Sequence, residues 1–346
     1  MSKKNINELL KSNETLKNVQ INGWVRTCRE SKEVTFIEIN DGSCLKNIQA
    51  VTDKSLKNYI DVEKLTTGSS VSITGDLVES PGKGQMWELQ VTGLEIIGLA
   101  PDSYPLQKKR HTDEYLRSIA HLRPRTNKYG AIFRIRSELS YAIHTFFRNK
   151  GFKYIHTPII TSSDCEGAGE LFRVTTLEPE QFQKKDAKLD LYSFDFFGKQ
   201  ANLTVSGQLE AEMFALALGN VYTFGPTFRA ENSNTRRHAA EFWMVEPEMS
   251  FCDLKDNMDL AEETIKFLIT FIIDQCPEDL DLFSKFVDKN LMKTLESILS
   301  PAFIRLPYKE AIDILFASGE NFEFPIKPEC DLQTEHERYL TEKHFK

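Results

Sequence analysis

Apolar and polar positions alternate along much of the first hundred residues. Val34, Phe36 and Glu38, and then Val71 and Ile73, follow the period of two that a half-buried strand requires. Strands are predicted over 19–25, 33–42, 44–51, 69–80 and 86–97. Turns are expected at Asp41-Gly42 and Pro81-Gly82-Lys83-Gly84, and a helical stretch near 53–60. Five short strands in about 80 residues describe a small Greek-key barrel. An OB-fold fits the count, and so does a β-barrel with no nucleic-acid role. Residues 101–128 carry prolines and no sustained apolar period, as a linker or hinge does. From 130 the period lengthens: Ile132, Ile135, Leu139, Ile143, Phe146 and Phe147 recur at helical spacing up to Lys150-Gly151. That stripe suits an ordinary core or a subunit contact equally. A strand-like segment follows at 152–160, then strand, turn and helix over 203–219. Two strands at 220–232 and 240–251 flank a polar loop, and helices are expected over 253–275 and 284–300. Hairpins beside separate helices predict an α+β fold with helices around an antiparallel sheet.

Composition narrows the class. The chain has 346 residues, 40% of them hydrophobic, and a net charge of −8, which excludes disordered and fibrous proteins. No apolar run approaches the ~20 residues that span a bilayer, so no membrane association is expected. The first residues lack the apolar segment of a secretory signal. Six cysteines form no CxxC pair and no zinc spacing, which suits a reducing, cytoplasmic setting. Charge is unevenly spread: residues 101–162 hold 12 basic and 4 acidic side chains, and 163–346 hold 19 and 34. The basic waist could hold a polyanion or be a solvated linker.

The densest chemistry lies in FGPTFRAENSNTRRHAAEFWMVEPE, residues 224–248. On a strand Arg229 and Glu231 share a face, as do Phe242, Met244 and Glu246. Guanidinium, carboxylate and aromatic ring on paired strands, with Arg236, Arg237 and His238 in the loop, could form a nucleotide site or a hairpin with surface ion pairs. No GxxxxGK[ST] or GxGxxG occurs, so the site is neither a P-loop nor a Rossmann site.

FRAENSNTRRHAAEF (228–242) closely resembles motif 2 of the class II aminoacyl-tRNA synthetases, in the subclass that charges Asp, Asn and Lys. FRNKGFKYIHTPIIT (147–161) resembles motif 1, with Pro158 in place. Residues 23–51 resemble the subclass's anticodon-binding OB-fold. Within the subclass, SDCEGAGELF (163–172) and LTVSGQLEAE (203–212) resemble the asparaginyl-tRNA synthetases. The resemblance implies an OB-fold anticodon domain over 1–102, a hinge over 103–128 and a class II catalytic domain over 129–346.

The same resemblance implies roles. Arg229 would bridge the α-phosphate of ATP and the amino-acid carboxylate, stabilising charge as the adenylate forms. Glu231 would meet the adenine or ribose, Phe242 would stack on adenine, and Arg237 and His238 would reach the outer phosphates. Mg²⁺ would assist the in-line attack. Glu166, Ser206 and Gln208 would line the amino-acid pocket. Aspartyl enzymes carry a Lys three residues after that Gln. Here the position is Ala211, so a substrate carboxylate would be buried unpaired, whereas the amide of asparagine loses little. Phe36 would stack on the central anticodon base of tRNA(Asn), Gln49 and Glu88 would read its edges, and Arg26 would lie near its backbone. Without the resemblance, Phe36 reads as barrel core and Glu88 as an outward strand residue. Motif 1, with Pro158, implies a homodimer. The family's third motif is not found, so the chain is expected to cover the catalytic domain in part and to charge little tRNA alone. The expected activity is asparagine–tRNA ligation. A non-catalytic tRNA- or partner-binding protein, or an amide-forming paralogue, is the other possibility.

Overall fold

The structure is a computed structural model that describes residues 2–345 except 83, 166, 168–169, 179, 181–190 and 233–237. Contacts divide the chain into two compact units, Met1–Leu295 and Glu296–Lys346.

The larger unit begins with a barrel. Strands β1 (Ser2–Lys3), β2 (Leu16–Glu30), β3 (Val34–Asn40), β4 (Ile48–Asp53), β5 (Ser70–Glu79) and β6 (Trp87–Gly98) order as β1-β2-β3-β4-β6-β5, and a β2–β5 pairing closes the sheet. The predicted strands are all present. β2 is longer than expected because it serves both neighbours, pairing β5 through Leu16–Trp24 and β3 through Trp24–Glu30. A bulge between Val25 and Thr27 allows the bend. Gly23 makes the approach possible, since a Cβ there would lie 2.6 Å from Ile39 Cγ2. Alternate residues fill the interior: Ile21, Ile37, Ile39, Ile48, Ile73 and Leu89 are fully buried. Helix α1 (Ile6–Leu10), which the sequence reading missed, buries Ile6 and Leu9 in this core, and Asp41 accepts from the Ile6 N–H at 2.7 Å. A short helix α2 (Tyr59–Val62) lies between β4 and β5.

The hinge holds α3 (Asp113–Ser118) and a 3₁₀ turn at Arg123–Arg125. Helix α4 (Asn127–Asn149) starts where Thr126 accepts from the Tyr129 N–H and ends before Gly151, which takes φ +84°. Two small sheets follow. One has the order β8 (Ile160–Thr161), β10 (Ala201–Leu203), β9 (Arg173–Val174). The other has the order β12 (Glu241–Met249), β11 (Asn220–Phe228), β7 (Lys153–Tyr154). β11 and β12 are antiparallel, and β7 joins β11 in parallel. Helix α5 (Gln208–Leu218) precedes β11, and α6 (Leu254–Gln275), α7 (Pro277–Phe286) and α8 (Leu291–Leu299) follow β12. The single helix expected over 284–300 is two segments. They are separated by a turn in which the Asp288 carboxylate accepts from the Asn290 N–H at 2.9 Å.

One face of the hairpin packs on helices: Tyr222 and Phe224 join Ile143, Phe146 and Phe147 of α4 and Leu260 of α6. At the other end of the α4 stripe, Ile135 and Leu139 pack against Ile272, Cys276 and Leu280. From Ile135 to Phe147 the stripe is therefore intrachain core. Asp279 binds Arg134 through both carboxylate oxygens, fixing α7 to α4. In the smaller unit, α9 (Tyr308–Ala317), α10 (Thr334–Arg338) and a π turn at Tyr339–His344 enclose Ala311, Leu315 and Leu340. His336 is buried there. Its Nδ1 accepts from the Gln333 N–H, and its Nε2 lies 2.9 Å from the Phe324 carbonyl oxygen. No described helix is long and apolar enough to cross a membrane.

Candidate functional site

Register decides what the free face of the β11–β12 hairpin presents. Thr223 lies opposite Glu246, Gly225 opposite Met244 and Thr227 opposite Phe242, so these six share one face. Tyr222 and Phe224 point the other way, into the helical core. On the free face α5 covers the Val221 end, where Ala211 and Ala215 pack with Val221 and Ile155. Further along that face Thr227 is buried, and Gly225, Phe242 and Met244 are half-buried.

This face meets a corner between β10 and α5. Ser206 is buried, and its hydroxyl donates to Glu246 Oε1. The Gly207 N–H donates to both Glu246 oxygens, at 3.2 and 3.1 Å, and Thr223 Oγ1 donates to Oε2 at 2.7 Å. Glycine at 207 is required by space: a Cβ would lie 2.6 Å from Thr157 Oγ1 and 3.3 Å from Glu246 Oε2. Below the corner a cavity of about 20 Å³, water-sized, is lined by Thr157, Thr204, Gly207, Thr223 and Glu246. The Gln208 N–H donates to Ser206 Oγ at 3.1 Å, and its side-chain Nε2 donates to Glu212 at 3.0 Å. Glu248, opposite Val221, has its carboxyl raised above the ordinary value by burial first, and then by the neighbouring charges of Glu212 and Glu246.

Arg229 lies just past β11, since the strand ends at Phe228. Its N–H still donates across the hairpin to the Ala240 carbonyl, and the chain turns away only at the next residue, where the Ala230 N–H donates to the Glu170 carbonyl. Arg229 keeps the parity of Thr227, on the Phe242 side, and its guanidinium lies 5.6 Å from the Phe242 ring centroid; Glu231 lies beyond the turn. The Arg229 Nε is buried with no hydrogen-bond partner among the described residues. Glu231 and His238 are exposed; Arg236 and Arg237 lie outside the described residues, as does Glu166.

Three further residues are placed by the structure. Ala211 is fully buried between α5 and the sheet, so its methyl is packing and does not line an open pocket. Pro158 is exposed between β7 and β8. The segment between Thr175 and Phe196, most of which lies outside the described residues, has its two ends tied together by Asp195. Asp195 accepts from Thr175 Oγ1, both the N–H and hydroxyl of Thr176, and the Phe196 N–H, at 2.6–2.9 Å. These bonds hold its carboxyl far below the ordinary carboxylate value, the Thr175 hydroxyl contributing most. Glu246 is the functional candidate that the reading left without a role. Its alternation with Phe242 was the available signal.

On the barrel, Phe36 and Glu38 alternate with buried Thr35, Ile37 and Ile39, and Gln49 lies between Glu38 and Glu88 in the ladder. Phe36, Gln49 and Glu88 thus share an outer face. Phe36 is half-buried, with the Arg29 guanidinium 5.2 Å from its ring centroid. Glu88, on that outer face, is nonetheless only 4% exposed: Ser80 Oγ donates to it at 2.9 Å and Gln90 Nε2 at 2.8 Å. Arg26, in the bulge, turns away from this face. It donates to the Arg125 carbonyl at 2.6 Å and to Asn127 Oδ1 at 2.9 Å, joining barrel to hinge. Arg26 borders a cleft of about 1010 Å³ whose walls include Lys108, Lys109, Arg110, Arg125 and Tyr104.

Two family models match the chain. The family model described as tRNA synthetases class II (D, K and N) matches residues 112–346, and the OB-fold nucleic acid binding domain model matches 19–97. An asparagine–tRNA ligase of Oleidesulfovibrio alaskensis is 59% identical over 347 residues, covering 100% of this chain and 75% of the relative. One from Clostridium beijerinckii is 56% identical over 331 residues, covering 95% and 71%. Among solved structures, asparaginyl-tRNA synthetase from Pyrococcus horikoshii complexed with asparaginyl-adenylate superposes with a TM-score of 0.77 at 29% identity. That match covers 94% of this chain and 69% of the other.

Proposed function

The chain belongs to the class II tRNA synthetases of the D, K and N group, and from that membership we infer its activity and the parts its residues take. It is an asparagine–tRNA ligase. In the first step an α-carboxylate oxygen of asparagine attacks the α-phosphorus of ATP. The bond to the β-phosphate breaks, pyrophosphate leaves, and asparaginyl-adenylate remains. A terminal ribose hydroxyl of tRNA(Asn) then takes the acyl group and AMP leaves. Neither step needs a covalent bond to the enzyme, so positioning and charge stabilisation carry the rate.

The observation that carries this reading is Arg229. A guanidinium whose Nε is buried with no partner among the described residues is costly unless an anion completes it. It lies over the Phe242 ring, where an adenine would stack. Phe242 and Glu246 are four residues apart on β12, about 13 Å along the strand, a span suited to an amino acid joined to a nucleotide. Nucleotide at the Phe242 end and asparagine at the Ser206–Gln208 corner follow, with Arg229 at the bond being made. Glu166, Glu231, Arg237 and His238 keep the roles the resemblance implies. ATP enters as substrate. Mg²⁺ would assist by neutralising phosphate charge, as the resemblance implies. No step here runs through it.

We assign 1–102 to anticodon binding, 103–128 to the hinge and 129–346 to catalysis. Phe36 stacks on an anticodon base beside Gln49. The basic cleft at Lys108–Arg110 borders the path of the tRNA backbone, and Arg26 serves the hinge. A homodimer using the α4–β7 side with Pro158, and a cytoplasmic location, complete the proposal. Asparagine-dependent ATP–pyrophosphate exchange by the whole gene product tests it. Exchange with asparagine but not aspartate is expected, falling at least 100-fold in Arg229→Ala. Exchange without tRNA charging assigns the amide-forming alternative, and no exchange with asparagine overturns the ligase reading.

A further inference from the structure

The barrel and the catalytic body meet through contacts of two unlike kinds. Among the described residues they share no apolar cluster: one fills the barrel, and those built on α4 draw only on the body. The first contact is compact and lies at the hinge. Arg26 donates to the Arg125 carbonyl and to Asn127, the Arg125 guanidinium lies 5.1 Å from the Trp24 ring centroid, and Arg125 Nη1 donates to the Tyr104 hydroxyl at 3.2 Å. Tyr104 packs against Gly68, where a Cβ would lie 2.7 Å from its ring. The second contact is one exposed ion pair. Lys46 Nζ, in the β3–β4 turn, lies 2.6 Å from Glu278 Oε1 in the first turn of α7, and the side chains are 65% and 43% exposed. The cleft of about 1010 Å³ is lined by Leu45 and Asn47 of that turn and by Phe133 and Arg134 of α4.

The backbones on both sides of the ion pair are stiff. Asn40 Nδ2 donates to the Cys44 and Lys46 carbonyls, at 3.2 and 3.0 Å, and shapes the turn. Asp279, next to Glu278, grips Arg134, which stands about 10 Å along α4 from Asn127. Loss of the pair therefore frees the barrel as a body, with the Arg26 contact as its pivot. We propose that Lys46 and Glu278 form a latch that holds the barrel on the catalytic body, and that its release lets the barrel turn about Arg26 and widen the cleft. An exposed pair favours the closed form only a few-fold and is screened by salt, so ionic strength and competing charges set the open fraction. β3 and β4 carry Phe36 and Gln49 and are joined by this turn, so the latch sets the direction in which they face. That consequence alone rests on the anticodon reading. On a rigid interface the same pair would leave the orientation unchanged.

The test is single-molecule energy transfer between dyes on non-natural residues placed at the exposed Lys57 and Lys289, with the urea midpoint followed in parallel. Lys46→Glu and Glu278→Lys each put like charges at the latch and should raise the open-to-closed ratio about threefold or more. The double variant restores opposite charges and should return the ratio to within about twofold of the parent. Salt should act with opposite signs. Between about 0.05 and about 1 M it opens the parent and closes the single variants, because it screens attraction in one and repulsion in the others. A ratio unmoved by both single variants, a double variant that stays open, or salt responses of the same sign each overturns the latch. So does a fall in the midpoint of the single variants with the distance unchanged, which assigns the pair to stability alone. Exchange by the whole gene product is read separately: its absence overturns the ligase reading and leaves the latch standing.

Discussion

Gly207 offers the sharpest geometric prediction, because its substitution by alanine changes one methyl group at a known place. The backbone at 207 has φ −92°, which alanine adopts freely, so the effect is one of space. The added Cβ would meet Thr157 Oγ1 at 2.6 Å and both Glu246 Oε2 and Thr223 Cγ2 at 3.3 Å. The first is a hydroxyl tip that can swing; the other two belong to paired strands, and Glu246 is tied down by Ser206, Gly207 and Thr223. Overpacking of this kind costs about 1–3 kcal/mol. Part of it should return when Thr157→Ala removes the nearest atom. The measurement is a double-mutant cycle on the urea midpoint, with asparagine affinity read on the same proteins. The expected coupling is favourable and about 1 kcal/mol. Affinity in Gly207→Ala falls because the corner must open to admit the methyl. An unchanged midpoint for Gly207→Ala, or strict additivity with Thr157→Ala, would refute the packing reasoning.

Phe36→Ala should weaken binding of the cognate tRNA by about 1–3 kcal/mol, the value of one stacked base, in a filter-binding or fluorescence titration; an unaltered affinity rejects the stacking role. Asp195 has a folded-state pKa depressed from 3.8, so its contribution to stability is present above that value and is lost as pH falls through the folded one. Asp195→Asn should therefore lower the urea midpoint at pH 7, with the gap closing as the pH drops below about 3.8; a pH-independent gap contradicts this. Asp279→Ala strips Arg134 of its bidentate partner, and removing one member of a buried pair costs ~3–5 kcal/mol. The Arg134 side chain keeps 24% exposure, so a smaller loss of ~2–3 kcal/mol is expected, and replacing both residues by Leu and Met should recover much of it.

The barrel was legible because its strands have one wet and one dry face, which prints a period of two on the sequence. Helix α1 was missed because a five-residue segment is too short to show a helical period. The bulge at Val25/Thr27 leaves no residue signature, and it turns Arg26 from the expected RNA face into the hinge. At the catalytic hairpin, alternation correctly put Phe242, Met244 and Glu246 together. Arg229 follows the same parity onto the Phe242 side, whereas Glu231 lies past the point where the Ala230 N–H turns to Glu170, a partner distant in sequence that no local pattern announces. Ala211 shows a different limit: a small apolar residue next to pocket residues fits pocket and core equally, and only contact with Ile155 and Val221 decides for core.

Glu246 explains why the two halves of the site act as one. It stands on β12, the strand that carries Phe242, yet three of its four donor contacts come from Ser206 and Gly207 at the head of α5. Any displacement of that corner along the strand must break these bonds, and a hydrogen bond to a charged acceptor is worth about 1.5–3 kcal/mol. The separation between the asparagine corner and the adenine end is therefore held by the strand and by one carboxylate. A free Gln or Glu on a loop could bind asparagine but would leave its carboxylate uncertain by more than the ~0.5 Å that in-line attack tolerates. Arg229 has the complementary arrangement. Its Nε has no partner among the described residues and it lies against Phe242, so its final geometry is completed by the anion it binds. The site thus pairs a carboxylate bonded before substrate arrives with a guanidinium whose Nε an anion can complete. The first sets the register of the reactants, and the second interacts most strongly with the charge that develops between them.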